Sequence, residues 1–374
     1  MKEARPVMRV DAVHLRRGNQ LLLDFGGCDY LRMAQSPKVK RALLHSIQRQ
    51  GWNTAASRLT TGNHPLYRRA ELKLARFFGS EDAVLLPTGY LAPVVAAQAL
   101  AGSFTHAFLD EAAHVCLQDA AAFLRCRVWT FAHRDPQHLE RLVQRAGSNA
   151  RIVVLTDGVF GWSGSVAPLP AYLRALPAGS KVLVDDAHAV GVLGTNGQGT
   201  LEWWGISRRR VIQTVTLSKA LGLYGGLVLC SQALREGIVQ HAAAFGGGTP
   251  LPLPFVAALE TAMEELRQRL PLRQTAMHHA ERLRAALRKA GWQVHDSPTP
   301  IVTLFPAHVQ QARQLCRVLE RVGIHPPWTC YPGHPAGYFR FVLTPYHKPG
   351  HVNRLLEALL QIPVTPGQST LREP

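Results

Sequence analysis

The stretch TVTLSKALG, residues 214–222, begins as an alternating β-branched run, reaches a lysine and turns into small residues. A lysine at a strand end ordinarily snorkels its ammonium to water. The alternative is an amine held in a partly dry pocket, where desolvation leaves a nucleophile able to form a Schiff base. Lys219 alone does not choose between them, so the surrounding chain must supply a site for a carbonyl partner.

Outward from this stretch, short apolar runs alternate with helical patterns. Strands are expected at AVLLPT (83–88), HAFLD (106–110), RIVVLTD (151–157), KVLVDD (181–186), VIQTVTL (211–217) and GLVLCS (226–231), with helices over 91–101 and 116–125 between them. This alternation predicts an α/β domain with a mostly parallel sheet, several of its strands buried on both faces. The stretch FGGGTPLPLP (245–254) breaks the pattern, and a long helical reading follows over 255–291. From about 295 the pattern becomes α+β: IVTLF (301–305), a helix over 308–322, YFRFVLT (338–344) and a helix over 350–361. The expected organisation is an N-terminal segment (1–45), a large α/β domain (46–250), a linking helical segment (251–294), a small C-terminal α+β domain (295–364) and a tail (365–374).

Composition narrows the function classes. Hydrophobic residues make up 47% of the 374 and charged residues 18%, and no apolar run approaches the ~20 residues that span a bilayer, so no membrane partner is expected. Residues 1–30 lack the apolar stretch and cleavage pattern of a secretory signal, which makes a cytoplasmic location the expectation. The six cysteines are scattered without a C-x-x-C pair, arguing for reduced thiols and against a structural zinc. No metal site is expected. The formal charge of +17 comes mainly from dispersed arginines. It suits the attraction of an anionic substrate such as a coenzyme A thioester or an acidic carrier protein better than a nucleic-acid footprint.

Ligands in open parallel sheets bind at the carboxyl ends of the strands, and three motifs fall there. VLVDDAHAVG ends a strand with Asp185, Asp186 and His188; LLPTGYLAP turns into a helix through Gly89 and Tyr90; TVTLSKALG carries Thr216, Ser218 and Lys219. Each has an ordinary reading as a cap, a turn or a satisfied polar residue. Together they describe a site for pyridoxal phosphate. A helix start with the Thr216 and Ser218 hydroxyls can hold a phosphate, a buried carboxylate can keep a pyridine nitrogen protonated, and Lys219 can carry the aldehyde.

The motifs SRLTTGNHPLYRRAELKLARFFGSEDAVLLPTGY, DEAAHVCLQDA, TDGVF, VDDAHAVGVLG, TLSKALG and RFVLTPYH occur in this order between about residues 22 and 362. In them the sequence resembles the α-oxoamine synthase family of fold-type I pyridoxal-phosphate (PLP)-dependent transferases. That resemblance implies a large domain with a mostly parallel central sheet and a smaller α+β C-terminal domain. It implies a decarboxylating condensation of a small amino acid with an acyl thioester, on coenzyme A or a carrier protein.

It also implies residue roles. Lys219 binds the cofactor aldehyde and moves the Cα proton, Asp185 faces the pyridine nitrogen, His188 lies near the phenolic oxygen and His114 stacks on the ring. Gly89 and Tyr90 offer backbone donors to the phosphate, Thr216 adds a hydroxyl, and Thr249 reaches it from the neighbouring subunit of a homodimer. Arg340 grips the amino-acid carboxylate.

The sequence departs from the family's common forms at Cys28, at Gly161-Trp162-Ser163-Gly164, at Ala55-Ala56 and at Gly246-Gly247-Gly248. Cofactor binding is expected to survive these changes, which bear instead on the choice of amino acid and acyl donor. A PLP aminotransferase would share Lys219 and Asp185 without the His114 and DDAHAVG combination. A non-catalytic paralogue acting as a subunit would be expected to lose the lysine.

Overall fold

The computed structural model describes residues 5–330 and 335–363; the tail expected over 365–374 lies outside them. In chain order the described residues form β1 (Met8–Arg9), β2 (His14–Arg17), β3 (Gln20–Asp24), β4 (Asp82–Leu86), β5 (His106–Asp110), β6 (Arg127–Phe131) and β7 (Ile152–Asp157). These are followed by β8 (Lys181–Asp185), β9 (Val211–Thr216), β10 (Gly226–Cys230), β11 (Ile301–Leu304), β12 (Ile324–His325), β13 (Trp328–Thr329) and β14 (Tyr338–Val342). Contacts divide them into two units. One is built on Ser36–Phe160 and Val166–Leu270, the other on the described residues before and after together with Gly161–Ser165.

The larger unit holds a seven-stranded sheet in the order β4-β10-β9-β8-β7-β5-β6. Strands β5 to β9 run parallel, and β10 alone is antiparallel to its neighbours β4 and β9. Every residue of IVVLTD and of VIQTVT is buried, as a strand covered by helices on both faces requires. Helices Leu91–Ala99 and Val115–Phe123 supply part of that cover through Val95, Ala96, Leu117 and Ala120. The sequence reading missed β6, because RVWTF is an edge strand with a largely exposed face and no apolar run to betray it.

In the smaller unit β1, β2 and β3 form an antiparallel meander, and β3 pairs in parallel with β12. A second sheet, β11-β14-β13, shares its core through Val302, Leu304, Phe339 and Phe341. Two expected boundaries are corrected here. The strand pairing of Leu23 with Ile324 joins the start of the chain to the C-terminal unit, so 1–45 is not a segment apart. The linking segment 251–294 is two helices, Leu253–Arg269 and Arg273–Lys289, which fall in different units, with Pro271 between them removing a helical hydrogen bond.

The larger unit also contains a buried ion cluster that fixes the SRLTTGN turn. Glu71, fully buried on the helix Pro65–Phe78, accepts both terminal nitrogens of Arg58 and the Leu85 N–H. Ser57 Oγ beside it donates to Gly246 O. Glu71→Ala leaves Arg58 buried and unpaired, and the expected loss is about 3–5 kcal/mol. Urea unfolding followed by tryptophan fluorescence checks this, with Glu71→Gln, which can still accept the Leu85 N–H, expected to lose less.

Candidate active site

The connection from β9 to β10 is short because β10 returns antiparallel, so Lys219 sits on a tight loop rather than at the start of a long crossover. Leu217 N donates to Gly225 O at 2.9 Å, Leu223 N to Leu217 O at 3.0 Å and Gly222 N to Lys219 O at 3.3 Å. Gly222 and Gly225 take the positive φ values, 60° and 122°, that such a loop needs. The half-buried Lys219 ammonium nitrogen lies 2.8 Å from His188 Nε2.

His188 and Asp185 come from the end of β8. Asp185 is 6% exposed, and its oxygens accept from Thr214 Oγ1 at 3.1 Å, Ala187 N at 3.3 Å and Cys116 Sγ at 3.6 Å. Burial raises its pKa, while Lys219 and His114 pull it back down. Its neighbour Asp186 is a lock. Its carboxylate accepts from Thr200 N at 2.8 Å, Thr200 Oγ1 at 2.6 Å and Gln213 Nε2 at 2.5 Å, and burial pushes its pKa up to about 6.

His114 caps the helix Val115–Phe123, accepting Cys116 N at Nδ1, and its ring is open to solvent. Partial desolvation lowers its pKa, with Asp185 opposing that shift and Lys219 adding to it. Two participants went unnoticed in the sequence. Asp157, 4% exposed at the end of β7, accepts the His114 N–H at 2.8 Å. Cys116, 2% exposed, lies 3.0 Å from His114 Nδ1 and donates to Asp185, and burial drives its thiol pKa up. Asp157 stood inside the TDGVF motif and Cys116 two residues past His114, so proximity to quoted motifs was the available signal.

Gly89 lies against Thr216: a Cβ there would come 2.6 Å from Thr216 Cβ. Thr216 Oγ1 is 2.8 Å from Ser218 Oγ, and the helix that starts at Leu91 follows directly. Tyr90 is exposed, and its hydroxyl donates to Asp119, which holds the phenol up at about 12. Thr249 is exposed in the same unit.

These groups fit pyridoxal phosphate. A glycine cradle, two hydroxyls and a helix start could take the phosphate, Asp185 could take the ring nitrogen, and Lys219 the aldehyde. Arg340 belongs to the smaller unit. It donates to Gly161 O, to Gly27 O at 2.9 Å, to Cys28 Sγ at 3.6 Å and to Tyr30 OH at 2.9 Å, and no carboxylate pairs with it among the described residues.

Residues 19–359 match the aminotransferase class I and II family. The chain is 32% identical to the 8-amino-7-oxononanoate synthase of Trichlorobacter lovleyi, over 96% of this chain and 93% of that protein. It is 34% identical to the enzyme of the same name from Geobacter sulfurreducens, over 89% and 87%. Among solved structures, a serine palmitoyltransferase from S. paucimobilis with a bound PLP-myriocin aldimine matches with a TM-score of 0.89 at 23% identity, covering 96% of this chain and 92% of that one. The 8-amino-7-oxononanoate synthase of Francisella tularensis matches with a TM-score of 0.80 at 22% identity, covering 91% and 97%. Both structures share the fold.

The chain belongs to the aminotransferase class I and II family, within it to the α-oxoamine synthases, and is a PLP-dependent acyltransferase. Its fold is that of a fold-type I transferase, its cofactor is pyridoxal phosphate, and no helix among the described residues is long and apolar enough to cross a membrane.

Gly89→Ala forces its new methyl against Thr216, an overpacking cost of about 1–3 kcal/mol at the spot where the phosphate could lie. Titration of the apoprotein with pyridoxal phosphate is expected to show binding weakened about ten-fold.

Proposed function

We propose that the protein condenses L-alanine with a pimeloyl thioester, losing carbon dioxide and releasing the free thiol to give an α-amino ketone, the reaction of 8-amino-7-oxononanoate synthase. The observation that carries this reading is identity above 30% with curated synthases of that name across about nine-tenths of the chain, with Lys219, His188 and Asp185 brought together at neighbouring strand ends.

Bound pyridoxal phosphate supplies an electrophilic aldehyde carbon and a ring that accepts electron density from the amino acid. Asp185, at the end of β8, could hold a proton on the ring nitrogen. Lys219 would hold the aldehyde, and its amine could take the Cα proton of a bound amino acid. Its hydrogen bond to His188 limits where that nitrogen can travel. His114 presents an open ring face for stacking, and Gly89, Tyr90 and Thr216 would hold the phosphate. Thr249, exposed in the single chain, would reach the phosphate of a second copy in a homodimer, as the family resemblance implies.

Arg340 takes the amino-acid carboxylate, a planar donor with no protein carboxylate to neutralise it among the described residues. A second amino acid or acyl chain, as in a glycine-using or secondary-metabolite relative, is favoured by one feature. Cys28, one of the departures from the family's common forms, lies against Arg340 and offers it only a weak acceptor.

The test is the visible spectrum of the purified protein beside Lys219→Ala, with L-alanine, glycine and L-serine added in turn, then pimeloyl-coenzyme A or pimeloyl carrier protein with thiol release followed. We expect a band absent from Lys219→Ala and shifted by L-alanine, and turnover at least about 10²-fold lower in that variant. A shift by glycine or serine alone, or no thiol release with either donor, would overturn the substrate assignment. Arg340→Lys is expected to raise KM for the amino acid about ten-fold or more through loss of the paired donors.

A further inference from the structure

Asp157 and Asp185 end adjacent parallel strands, and the β7–β8 register pairs them directly. Both are buried, at 4% and 6% exposure. Two carboxylates so placed in a dry interior each oppose the ionisation of the other, so that one of them holds its proton.

The surroundings decide which of the two keeps it. Asp185 has Lys219 and His114 as favourable charges, and donors from Thr214, Ala187 and Cys116. Asp157 has the backbone N–H of His114. The groups facing it from the neighbouring elements are Asp185 on β8 and Asp110 on β5, which oppose its ionisation, and Lys219 beyond β9, which favours it more weakly. Asp110 is itself engaged by His133 Nδ1 at 2.8 Å and Tyr172 OH at 3.4 Å. Cys116, the remaining acidic group at this spot, keeps its proton and donates it to Asp185.

We propose that Asp157 is the protonated member of the pair and acts as a positioning residue. As a neutral acid it accepts the His114 N–H, fixing that residue at the start of its helix, and it leaves Asp185 as the one anion facing the cofactor's ring nitrogen. The inference rests on the placement of pyridoxal phosphate argued above. A neutral acid is the only form that can perform both tasks. Ionised, Asp157 would hold His114 equally well, but its charge would favour protonation of Asp185 and leave the ring nitrogen without a counter-charge.

The experiment compares Asp157→Asn, Asp157→Ala and Asp185→Asn in the full-length protein. Infrared spectra of the apoprotein in heavy water read the carbonyl stretch of a protonated carboxyl directly, with no cofactor required. Apoprotein titration reads the affinity for pyridoxal phosphate, and a pH series reads the visible band. We expect the infrared band in the unmutated protein and its loss in Asp157→Asn.

Since the amide is a neutral isostere, affinity and the pH series should stay within about three-fold of the parent in Asp157→Asn, while Asp157→Ala and Asp185→Asn should each lose about ten-fold or more. Survival of the infrared band in Asp157→Asn, or an asparagine variant as weak as the alanine one, would overturn the proposal. Failure of the cofactor placement would look different: the unmutated protein would develop no Lys219-dependent band, while the infrared comparison would still report the state of Asp157.

Discussion

The arrangement at the strand ends depends on Asp186, a residue with no chemical task of its own. An ionised carboxylate costs several kcal/mol to bury unless its oxygens are filled, and Asp186 is fully buried. Thr200 fills them with its backbone and hydroxyl donors, and Gln213 with its amide, while the Asp186 N–H donates to Thr214 O on β9. The exit of β8 is thereby tied to β9 one residue after Asp185 and two before His188. Gly158 and Gly199 make this tie possible, since a Cβ at either would lie 1.8 or 2.4 Å from an Asp186 oxygen. The 2.8 Å contact between Lys219 Nζ and His188 Nε2 links the two loops, and this one buried carboxylate joins the strands that carry them.

The large sheet was legible because its strands are buried on both faces, and burial on both faces writes itself as uninterrupted β-branched runs such as IVVLTD and VIQTVT. The same logic explains the failures. RVWTF is half exposed and reads as nothing in particular, and HLRR and QLLLD, which join the smaller unit through pairing with a strand some 300 residues away, carry no local sign of that partner. Of the site, Lys219, His188 and Asp185 could be found because each stands at the end of such a run. Asp157 could not, although it ends a run too: its meaning comes from the register that sets it beside Asp185, and register between parallel strands is a tertiary fact. Asp186 was read as one more candidate in a DDAH motif, and only the partners of its oxygens show that the second aspartate is structural.

The segment Gly161–Ser165 shows how the departures from the family's usual residues are tolerated. It follows TDGVF in the chain yet groups with the smaller unit. Its attachments there are made largely by main-chain carbonyls: Arg340 donates to Gly161 O, Thr303 Oγ1 to Trp162 O at 2.6 Å, and Ser297 Oγ to Gly164 O at 2.6 Å. A carbonyl is supplied by any residue, so the departures at Gly161 and Trp162 do not loosen these bonds. Gly164 is the exception, because its φ of 77° and the crowding of Thr299 and Ser297 around a Cβ would exclude other side chains.

What the substitutions do change is the side-chain surface. The Trp162 ring lies edge-on to His295 and Phe305, centroids 5.4 and 6.0 Å away, filling that volume with a rigid side chain. Backbone anchoring therefore separates two properties that sequence comparison merges. The path of the segment is kept by groups common to all residues, while the shape it presents is free to vary. The same main-chain bonds would accept other side chains at Gly161 and Trp162 without a change in the path of the segment.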